Sequence, residues 1–480
     1  MALESIVVKF GEWLPDQAAL GNPQTVVKNA IPQANSYASA PGADVLSADA
    51  IASRAFTGYW CMDQSLNFYF FAGCETKLYQ FDGSGWTDVS QAGDYVVENR
   101  KFILWGERVI AIGDGDVPQY FDLGSSTDFA DLSGATAAIC GAVVGDFIML
   151  GGGTDPANVR WSGYNNSTAW TPSPITQSDT QTLFGVGTVV KEIVPQGNSA
   201  VIFCDRSIRV ATYVGPPLVF KFETVEEDRG TLARNSIAWS GNKIFYYGLD
   251  GFYVFSLGQG SVPIGMEKVD RFFQDDFDFS RMDELRGAID RRYEMVCWSY
   301  PSLSSGGYRI LCYRWMLQKW SYIDADLETI FDYNSGPTTV DGLDSTYATV
   351  EDFNISVDSS SLAFGSASLG GFNTSHKLAS LTNFGSPFPI SLETGEANVV
   401  GKRTSVKSVR PLIDGEGELY VGTRDNQDEN FTYGTAIAEN AIGEFDVRSS
   451  ARYHRFKFTS TNSVQHAQGF EVFFRKEGRR

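Results

Sequence analysis

The sequence is poor in the side chains and motifs that build common active sites. It has three histidines, and none has another metal ligand at the four-residue spacing of an H-E-x-x-H zinc site. It also lacks a G-x-S-x-G nucleophile turn and a G-x-x-x-x-G-K-[ST] phosphate loop, the signatures of serine hydrolases and P-loop enzymes. We therefore predict no catalytic residue, no metal and no cofactor, and we interpret His376, His454 and His466 as ordinary surface or packed side chains.

Cysteine pairs and long apolar runs are also missing. The cysteines stand singly in apolar stretches without C-x-x-C spacing, at Cys61, Cys74, Cys140, Cys204, Cys297 and Cys312. Such cysteines are typical of buried thiols in a chain that folds in a reducing cytosol. No apolar run approaches the roughly 18 residues of a membrane span, and the first residues lack the apolar core of a secretory signal. We expect synthesis in a cytoplasm and no membrane span.

Positive charge is scarce. The chain has 38 Lys and Arg against 58 Asp and Glu, a net charge of −20. This charge repels phosphate backbones and argues against tight binding of DNA by counterion release. The densest acidic cluster has the spacing of a solvated turn and consists of Asp275, Asp276, Asp278, Asp283 and Glu284.

Helical periodicity is scarce as well, and β-strand patterns dominate. Aromatic residues make up 14% of the chain, and apolar strands joined by tight polar turns recur along it. The first turns of successive copies lie near residues 64, 106, 145, 197, 241 and 291. Their mean spacing of about 45 residues fits a four-stranded propeller blade. The predicted fold is all-β, a β-propeller of about six blades, with an irregular β-sandwich of similar hairpins as the alternative.

Three regions are predicted along the chain. Residues 1–54 are expected to form an N-terminal strand and an extended arm, and residues 55–325 the propeller. Residues 326–480 begin Ser/Gly/Asp-rich and end in strong alternation, which indicates a C-terminal β-rich platform. We expect this platform to be an antiparallel sandwich completed by the strand at residues 5–10.

Several strings spread over the whole chain resemble one protein family. They are GEWLPD at 11–16, GNP at 21–23, KNAIP at 28–32, VRWSG at 159–163, WTP at 170–172, TYVGPP at 212–217, GLDGFYVF at 248–255, PIG at 263–265 and HAQG at 466–469. As a set they resemble the tail nozzle or hub proteins of short-tailed bacteriophages, also called packaged-DNA stabilisation proteins.

The resemblance implies a structural virion protein and not an enzyme. It implies a homo-oligomer of six copies in a ring below the portal and adaptor proteins of the head–tail connector, in contact with tail fibres or spikes. Such a ring extends the DNA channel, retains the packaged genome and conducts double-stranded DNA at ejection without sequence-specific binding. It also implies a propeller joined to a β-rich platform, located in the virion tail.

Two groups of candidate residues follow from the resemblance. The acidic residues Asp275, Asp276, Asp278, Asp283 and Glu284 are expected to face the channel lumen or solvent. The expected contacts between copies or with the connector are Trp13, Pro15, Asp16, Arg475, Lys476, Arg479 and Arg480. The last four form a basic end that is either a solvated tail or complementary to other acidic copies.

Two other functions stay open from the sequence. One is a receptor-binding or fibre-anchoring tail protein. The other is a propeller glycosidase acting on bacterial surface polysaccharide, which requires two carboxylates roughly 5 to 10 Å apart in an axial pocket.

Overall fold

The computed structural model describes residues 3–18, 24–93, 95, 100–336, 365–382, 386–397 and 402–477. Most of these residues belong to β-strands. The described helices are α1 (Asp270–Asp276) and two short 3-10 helices, Arg234–Ser236 and Phe279–Glu284.

The chain begins with five short strands and then forms consecutive four-stranded antiparallel sheets, which we call blades. The first strands are β1 (Glu4–Lys9), β2 (Val26–Lys28), β3 (Ala30–Pro32), β4 (Tyr37–Ser39) and β5 (Ala43–Val45). Blade 1 contains β6 (Ala55–Met62), β7 (Phe68–Cys74), β8 (Leu78–Phe81) and β9 (Trp86–Asp88). Blade 2 contains β10 (Arg100–Trp105), β11 (Arg108–Gly113), β12 (Gln119–Asp122) and β13 (Ala130–Asp131).

The next four blades continue this order. Blade 3 contains β14 (Cys140–Val144), β15 (Phe147–Gly151), β16 (Asn158–Trp161) and β17 (Asp179–Thr182). Blade 4 contains β18 (Val190–Gln196), β19 (Ser199–Cys204), β20 (Ser207–Gly215) and β21 (Val219–Glu227). Blade 5 contains β22 (Ala238–Ser240), β23 (Lys243–Tyr247), β24 (Phe252–Ser256) and β25 (Gly260–Pro263). Blade 6 contains β26 (Arg286–Asp290), β27 (Met295–Pro301), β28 (Tyr308–Arg314) and β29 (Lys319–Ile323).

A further blade closes the ring, so the described part of the chain has seven blades where the sequence predicted about six. Blade 7 contains β30 (Leu327–Asn334), β31 (Ala367–Asn373), β32 (Leu378–Leu381) and, as its outer strand, β5. β30 contacts both β26 and β6, which joins the last blade to the first. The all-β propeller is therefore confirmed, and its ring extends beyond residues 55–325.

The repeat pattern in the sequence did not predict blade 7, and one reason lies in the residues of its second strand. β31 carries the pair Gly370 and Gly371, which made this stretch look like a weak strand. In the structure both glycines allow a close approach, because an added Cβ would lie 2.6 Å from the Phe331 ring or from the Thr329 carbonyl oxygen. The outer strand β5 comes from the other end of the sequence, and no local repeat reveals it.

The predicted C-terminal sandwich is present and forms the platform. Its strands are β33 (Ile390–Glu393), β34 (Thr404–Ile413), β35 (Glu418–Arg424), β36 (Thr432–Tyr433), β37 (Ile437–Ala438), β38 (Phe445–Ala451), β39 (Tyr453–Ser460) and β40 (Ala467–Lys476). One sheet has the order β3-β4-β40-β34-β38, and β1 pairs with β40 as expected. The other sheet runs from blade 6 through β2 into β33, β39 and β35.

Alternation builds the interior of the platform. Every second residue of β39 is buried, including Phe456 and Phe458, and these side chains share one apolar cluster with Phe470 and Val472 of β40. The same cluster includes residues of blades 5 and 6, so the platform and the propeller share a core. This continuity fixes the platform against the ring.

Candidate functional site

A cavity of about 640 Å³ lies on the propeller axis. The innermost strands of all seven blades line it, namely β6, β10, β14, β18, β22, β26 and β30. Because each blade contributes one strand, residues far apart in the sequence meet around one space. A cavity of this size falls in the range of small-molecule sites, roughly 300 to 1,000 Å³.

Cations outnumber acids among the described residues that line this cavity. The cations are Arg100, Lys101, Arg234, Arg286 and Arg291, and the acids are Glu192 and Asp332. A positive lining is unexpected in a chain of net charge −20. The cavity therefore has a sign of charge opposite to that of the whole molecule.

Each of the two acids is bound to a cation. Lys101 Nζ contacts Glu192 across the cavity, and Lys101 also lies 5.4 Å from the ring centroid of Trp239. Arg291 Nη2 lies 2.7 Å from Asp332 Oδ2. Burial raises the pKa of Asp332, and the charge of Arg291 opposes this rise. The cavity thus presents ion-paired carboxylates together with additional guanidinium groups.

Guanidinium groups gather at the end of the cavity where the innermost strands begin. Those of Arg54 and Arg286 lie 5.5 and 5.8 Å from the centroid of the same Phe56 ring. Burial, together with the charges of Arg54 and Arg234, lowers the pKa of Arg286 to about 9. The nearby acids are engaged, because Asp114 pairs with Arg234 at 2.9 Å and Glu284 with Arg54 at 3.1 Å. These carboxylates offset part of the positive charge at this end of the cavity.

The acidic segment is not one exposed cluster. Asp275 and Asp283 are exposed, whereas Asp278 is half-buried and accepts a hydrogen bond from Ser280 N at 3.1 Å. Glu284 is also half-buried, with Arg281 Nη2 at 2.5 Å and the Tyr308 hydroxyl at 2.7 Å. Only part of the predicted cluster is available to a channel or to solvent.

Asp276 corrects the sequence expectation, because it faces the interior. Its carboxylate accepts hydrogen bonds from Tyr300 Oη at 2.9 Å, Ser304 N at 2.9 Å and Arg309 Nη1 at 2.7 Å. Burial alone would raise the pKa of Asp276, but the hydrogen bonds from Ser304 and Ser302 and the charge of Arg309 hold it below its usual range. The three-residue spacing from buried Phe273 could have indicated this burial, whereas the partner Arg309 could not be identified.

Trp13 also corrects the expectation, since it is fully buried within the chain and cannot serve as a contact between copies. Its ring packs against Phe272 at 5.0 Å and against Tyr322 at 5.1 Å. Asp16 accepts hydrogen bonds from the backbone N–H groups of Arg271 and Phe272 at the start of α1, at 2.9 and 2.8 Å. The arm therefore binds the propeller of its own chain.

The other candidate contacts lie at the surface or outside the described residues. Pro15 is half-buried beside Asp16, and Arg475 is exposed near the end of β40. Lys476 Nζ lies 2.5 Å from Glu4 Oε2 on β1. Arg479 and Arg480 fall outside the described residues.

The remaining titratable groups give no metal site among the residues described. No group of three or more His, Cys, Asp and Glu side chains comes together there. All six cysteines are buried and unpaired, as the sequence indicated. His376 Nδ1 lies 3.0 Å from Glu328 Oε1, His466 is exposed, and His454 is buried in the platform. None of the helices in the described part of the chain has the length and apolarity needed to span a membrane.

Comparison with known proteins gives structural likeness only. No protein-family model and no curated protein matches the chain. The computationally designed Ika8 protein aligns with 77% of this chain and 99% of its own, at 9% identity and a TM-score of 0.39. The Pan2 WD40 domain from Neurospora crassa aligns over 73% and 96%, at 8% identity and a TM-score of 0.40. BamB from Moraxella catarrhalis aligns over 79% and 97%, at 9% identity and a TM-score of 0.39.

Proposed function

We propose that this chain is a structural virion protein, the tail nozzle or hub of a short-tailed bacteriophage. In this proposal six copies form a ring below the portal and adaptor. The ring extends the DNA channel, retains the packaged genome and conducts it at ejection. The chain acts through its surfaces and catalyses no reaction.

The proposal rests mainly on one observation: several of the sequence strings that resemble the nozzle family lie together in the fold. Strings 11–16, 248–255, 263–265 and 466–469 meet at the junction between propeller and platform. The Gly11 carbonyl accepts a hydrogen bond from Tyr37 Oη at 2.8 Å, and Phe10 N donates to the Gln468 carbonyl at 2.9 Å. The resemblance implied a propeller joined to a β-rich platform, and its own strings build that joint.

The strings from blade 5 meet the arm around α1. The Asp270 side chain lies against Gly251 and Gly265, where an added Cβ would lie within 2.3 Å of its carboxylate oxygens. Asp16 N donates to the Lys268 carbonyl at 3.2 Å. Residues that look unrelated in the sequence thus share one structural task, which supports a chain-long relationship.

The edge of the platform is the surface that best fits contacts between copies. Among the described strands β1 pairs only with β40, so its other edge is open. It exposes Ile6 at 45% and Val7 at 50%, and its partner strand β40 carries the exposed Arg475. Open edges and exposed apolar side chains favour association, and the basic group suits a neighbouring acidic copy.

The first experiment measures the mass of the purified chain, alone and with a portal–adaptor complex, by light scattering and negative-stain imaging. The proposal expects a six-fold ring on the connector. Added salt is expected to strengthen the ring, because it screens repulsion between acidic copies. A monomer that ignores the connector would contradict the proposal and favour the receptor-binding or glycosidase alternative.

A paired variant tests the proposed contact surface. Ile6→Glu with Val7→Glu places charge on the open edge and should raise the protein concentration needed for half-maximal ring formation by at least about tenfold. Ile175→Glu is the matched control, because Ile175 is 92% exposed on blade 3, far from β1 in the sequence. If both variants assemble like the wild type, β1 is not in the contact surface.

A further inference from the structure

The platform contains a hollow that lies apart from the axial cavity. Its volume is about 540 Å³, and it lies along β34 and the edge strand β38 of one platform sheet. The polar and charged side chains that line it include Ser405, Lys407, Asp446 and Arg448. Two cations, one acid and one hydroxyl therefore share one space at the surface of the platform.

The hollow lies where the strand pairing is interrupted. Val406 of β34 pairs with Ser449 of β38 and with Phe474 of β40, and the next paired residue on both sides is Ser408. Lys407 thus falls at a β-bulge in both ladders of β34. Bulges redirect side chains, and they are common next to functional sites.

The two cations of the hollow have no partner in the described part of the chain. Lys407 and Arg448 are exposed, and their side chains make no ion pair or hydrogen bond with any described residue. By contrast, Arg410 of β34 lies 2.8 Å from Glu444 and 3.5 Å from Glu471. The sheet supplies acids to Arg410 and leaves the charges beside the bulge free.

The other polar groups of the hollow are also free. Asp446 is exposed, and its carboxylate makes no ion pair or hydrogen bond with any described residue, including the cations that line the same space. Ser405 is only 9% exposed, and its hydroxyl also has no partner among the described residues. A largely buried hydroxyl without a partner is costly, so a ligand that bonds to it gains affinity.

We propose that this hollow binds a phosphate group, as the free ion or as a monoester, in a form that keeps one P–OH proton. The anionic oxygens accept hydrogen bonds from Lys407, Arg448 and the Ser405 hydroxyl. The P–OH group donates to Asp446, since an ionised carboxylate can only accept. The hollow is larger than a phosphate ion, so an ester substituent has room. This site is independent of the proposed nozzle role.

Asp446 makes the site selective for phosphate over sulfate. Sulfate has the same tetrahedral shape but no proton to donate, so its oxygens would be repelled by the carboxylate. A merely basic patch would show the opposite preference at pH 6, because sulfate then carries more negative charge than phosphate. The order of the two affinities therefore distinguishes the proposed site from general electrostatic attraction.

The test uses isothermal titration of the full chain at pH 6 and low ionic strength with inorganic phosphate, sulfate and glucose 6-phosphate. We expect inorganic phosphate or glucose 6-phosphate to bind at least about tenfold more tightly than sulfate. Tighter binding of glucose 6-phosphate would identify a monoester as the ligand, and tighter binding of inorganic phosphate would identify the free ion.

Three variants locate the binding. Lys407→Met and Arg448→Met should each weaken phosphate binding by at least about tenfold. Asp446→Asn should strengthen sulfate binding by at least about tenfold and remove the preference for phosphate. Arg410→Met is the matched control, because it removes the same charge from the same sheet at a residue outside the hollow and should leave both affinities unchanged.

Three results would overturn the proposal. One is the absence of saturable binding of inorganic phosphate and of glucose 6-phosphate up to about 10 mM, the weak limit for a specific small-molecule site. Another is sulfate binding as tight as that of phosphate in the wild type, which would indicate a general basic patch. The third is wild-type affinity in both Lys407→Met and Arg448→Met, which would place any bound anion elsewhere on the protein.

Discussion

The propeller and the platform are built by the chain in opposite ways. Blades 1 to 6 each use four consecutive strands, so every blade is a local unit of the sequence. The platform combines β1 to β4 from the start of the chain with β33 to β40 from its end. Blade 7 lies between these modes, because it takes three strands locally and borrows β5.

The difference shows where stability should be most concentrated. A local blade can form from neighbouring hairpins, but the platform exists only when both ends of the chain meet. The junction therefore holds the fully buried Trp13 and the ion pairs that run from Asp276 through Arg309 and Asp324 to Lys28. Substitutions there should affect the whole molecule, whereas substitutions on one exposed loop should not.

The largest expected effect comes from removing the arm's anchor. Trp13→Ala should lower the free energy of unfolding by about 4 kcal/mol, because it leaves a large cavity between α1 and blade 6. Urea unfolding followed by tryptophan fluorescence and by far-UV circular dichroism should then show separate transitions for propeller and platform.

Trp239→Ala is the matched control for this substitution. Trp239 is 36% exposed on an innermost strand, so its loss should cost less and keep one cooperative transition. Equal effects of the two substitutions would contradict the idea that the arm holds the two regions together.

The second effect tests the ion pairs of the junction. Asp276→Asn should cost about 3 kcal/mol, because Arg309 loses a buried charged partner. Asp275→Asn changes the exposed neighbour and should remain within about 0.5 kcal/mol of the wild type in chemical denaturation. A double change of Asp275 and Asp278 therefore suits a test of the channel hypothesis, whereas a change that includes Asp276 would confuse ejection with folding.

The same contrast explains how much the sequence could predict. The hairpins of blades 3 and 4 could be predicted because Gly145 and Gly197 each stand between two apolar runs, which is a local turn signal. In the structure these glycines have φ of 56° and 65°, as such a turn requires. The alternation of the strands at 454–458 and 470–474 likewise indicated a sandwich, to which the strand at residues 5–10 was assigned. The turns and the alternation depend on residues close together in the sequence.

The missed features depend on contacts between distant residues. Asp276 is buried by Arg309, and β5 joins blade 7 across more than three hundred residues of chain. The cation cluster combines Arg54, Arg234 and Arg286, which stand in unrelated sequence contexts. Local patterns indicate the strands of a ring, but they do not indicate which side chains meet on its axis.

The third prediction concerns the pH dependence of stability, which should differ between the platform and the propeller. Burial lowers the pKa of His454 to about 4, while the unfolded residue titrates near its usual value of about 6.5. The unfolded state therefore binds more protons between these values, and stability is lost as the pH falls through this window. Between pH 7 and pH 4.5 the platform should lose about 2 kcal/mol.

Urea midpoints at several pH values measure this loss. His454→Phe should reduce the slope, because phenylalanine stacks on Phe456 without titrating. His466→Gln alters an exposed histidine of the same platform and should keep the wild-type slope. A slope that survives His454→Phe would assign the pH dependence to other groups.

The smallest expected effect comes from Asp270, on the propeller side of the junction. Here stability should fall as the pH rises, which is the opposite of the dependence expected for His454. Burial, together with the charges of Asp16 and Asp250, raises the pKa of Asp270 to about 7. The folded state then holds a proton that the unfolded chain has released, so this contribution to stability is present below about pH 4 and is lost as the pH rises through 7.

The side chain introduced by Asp270→Asn cannot ionise but can still accept the hydrogen bond that Phe252 N donates at 3.1 Å. It should therefore raise the unfolding free energy by about 1 kcal/mol at pH 8 and leave it nearly unchanged near pH 3.5, where the carboxyl is largely protonated in both states. Thermal denaturation at the two pH values measures the difference, and a variant destabilised equally at both would mean that the ionised carboxylate itself holds the start of α1 in place.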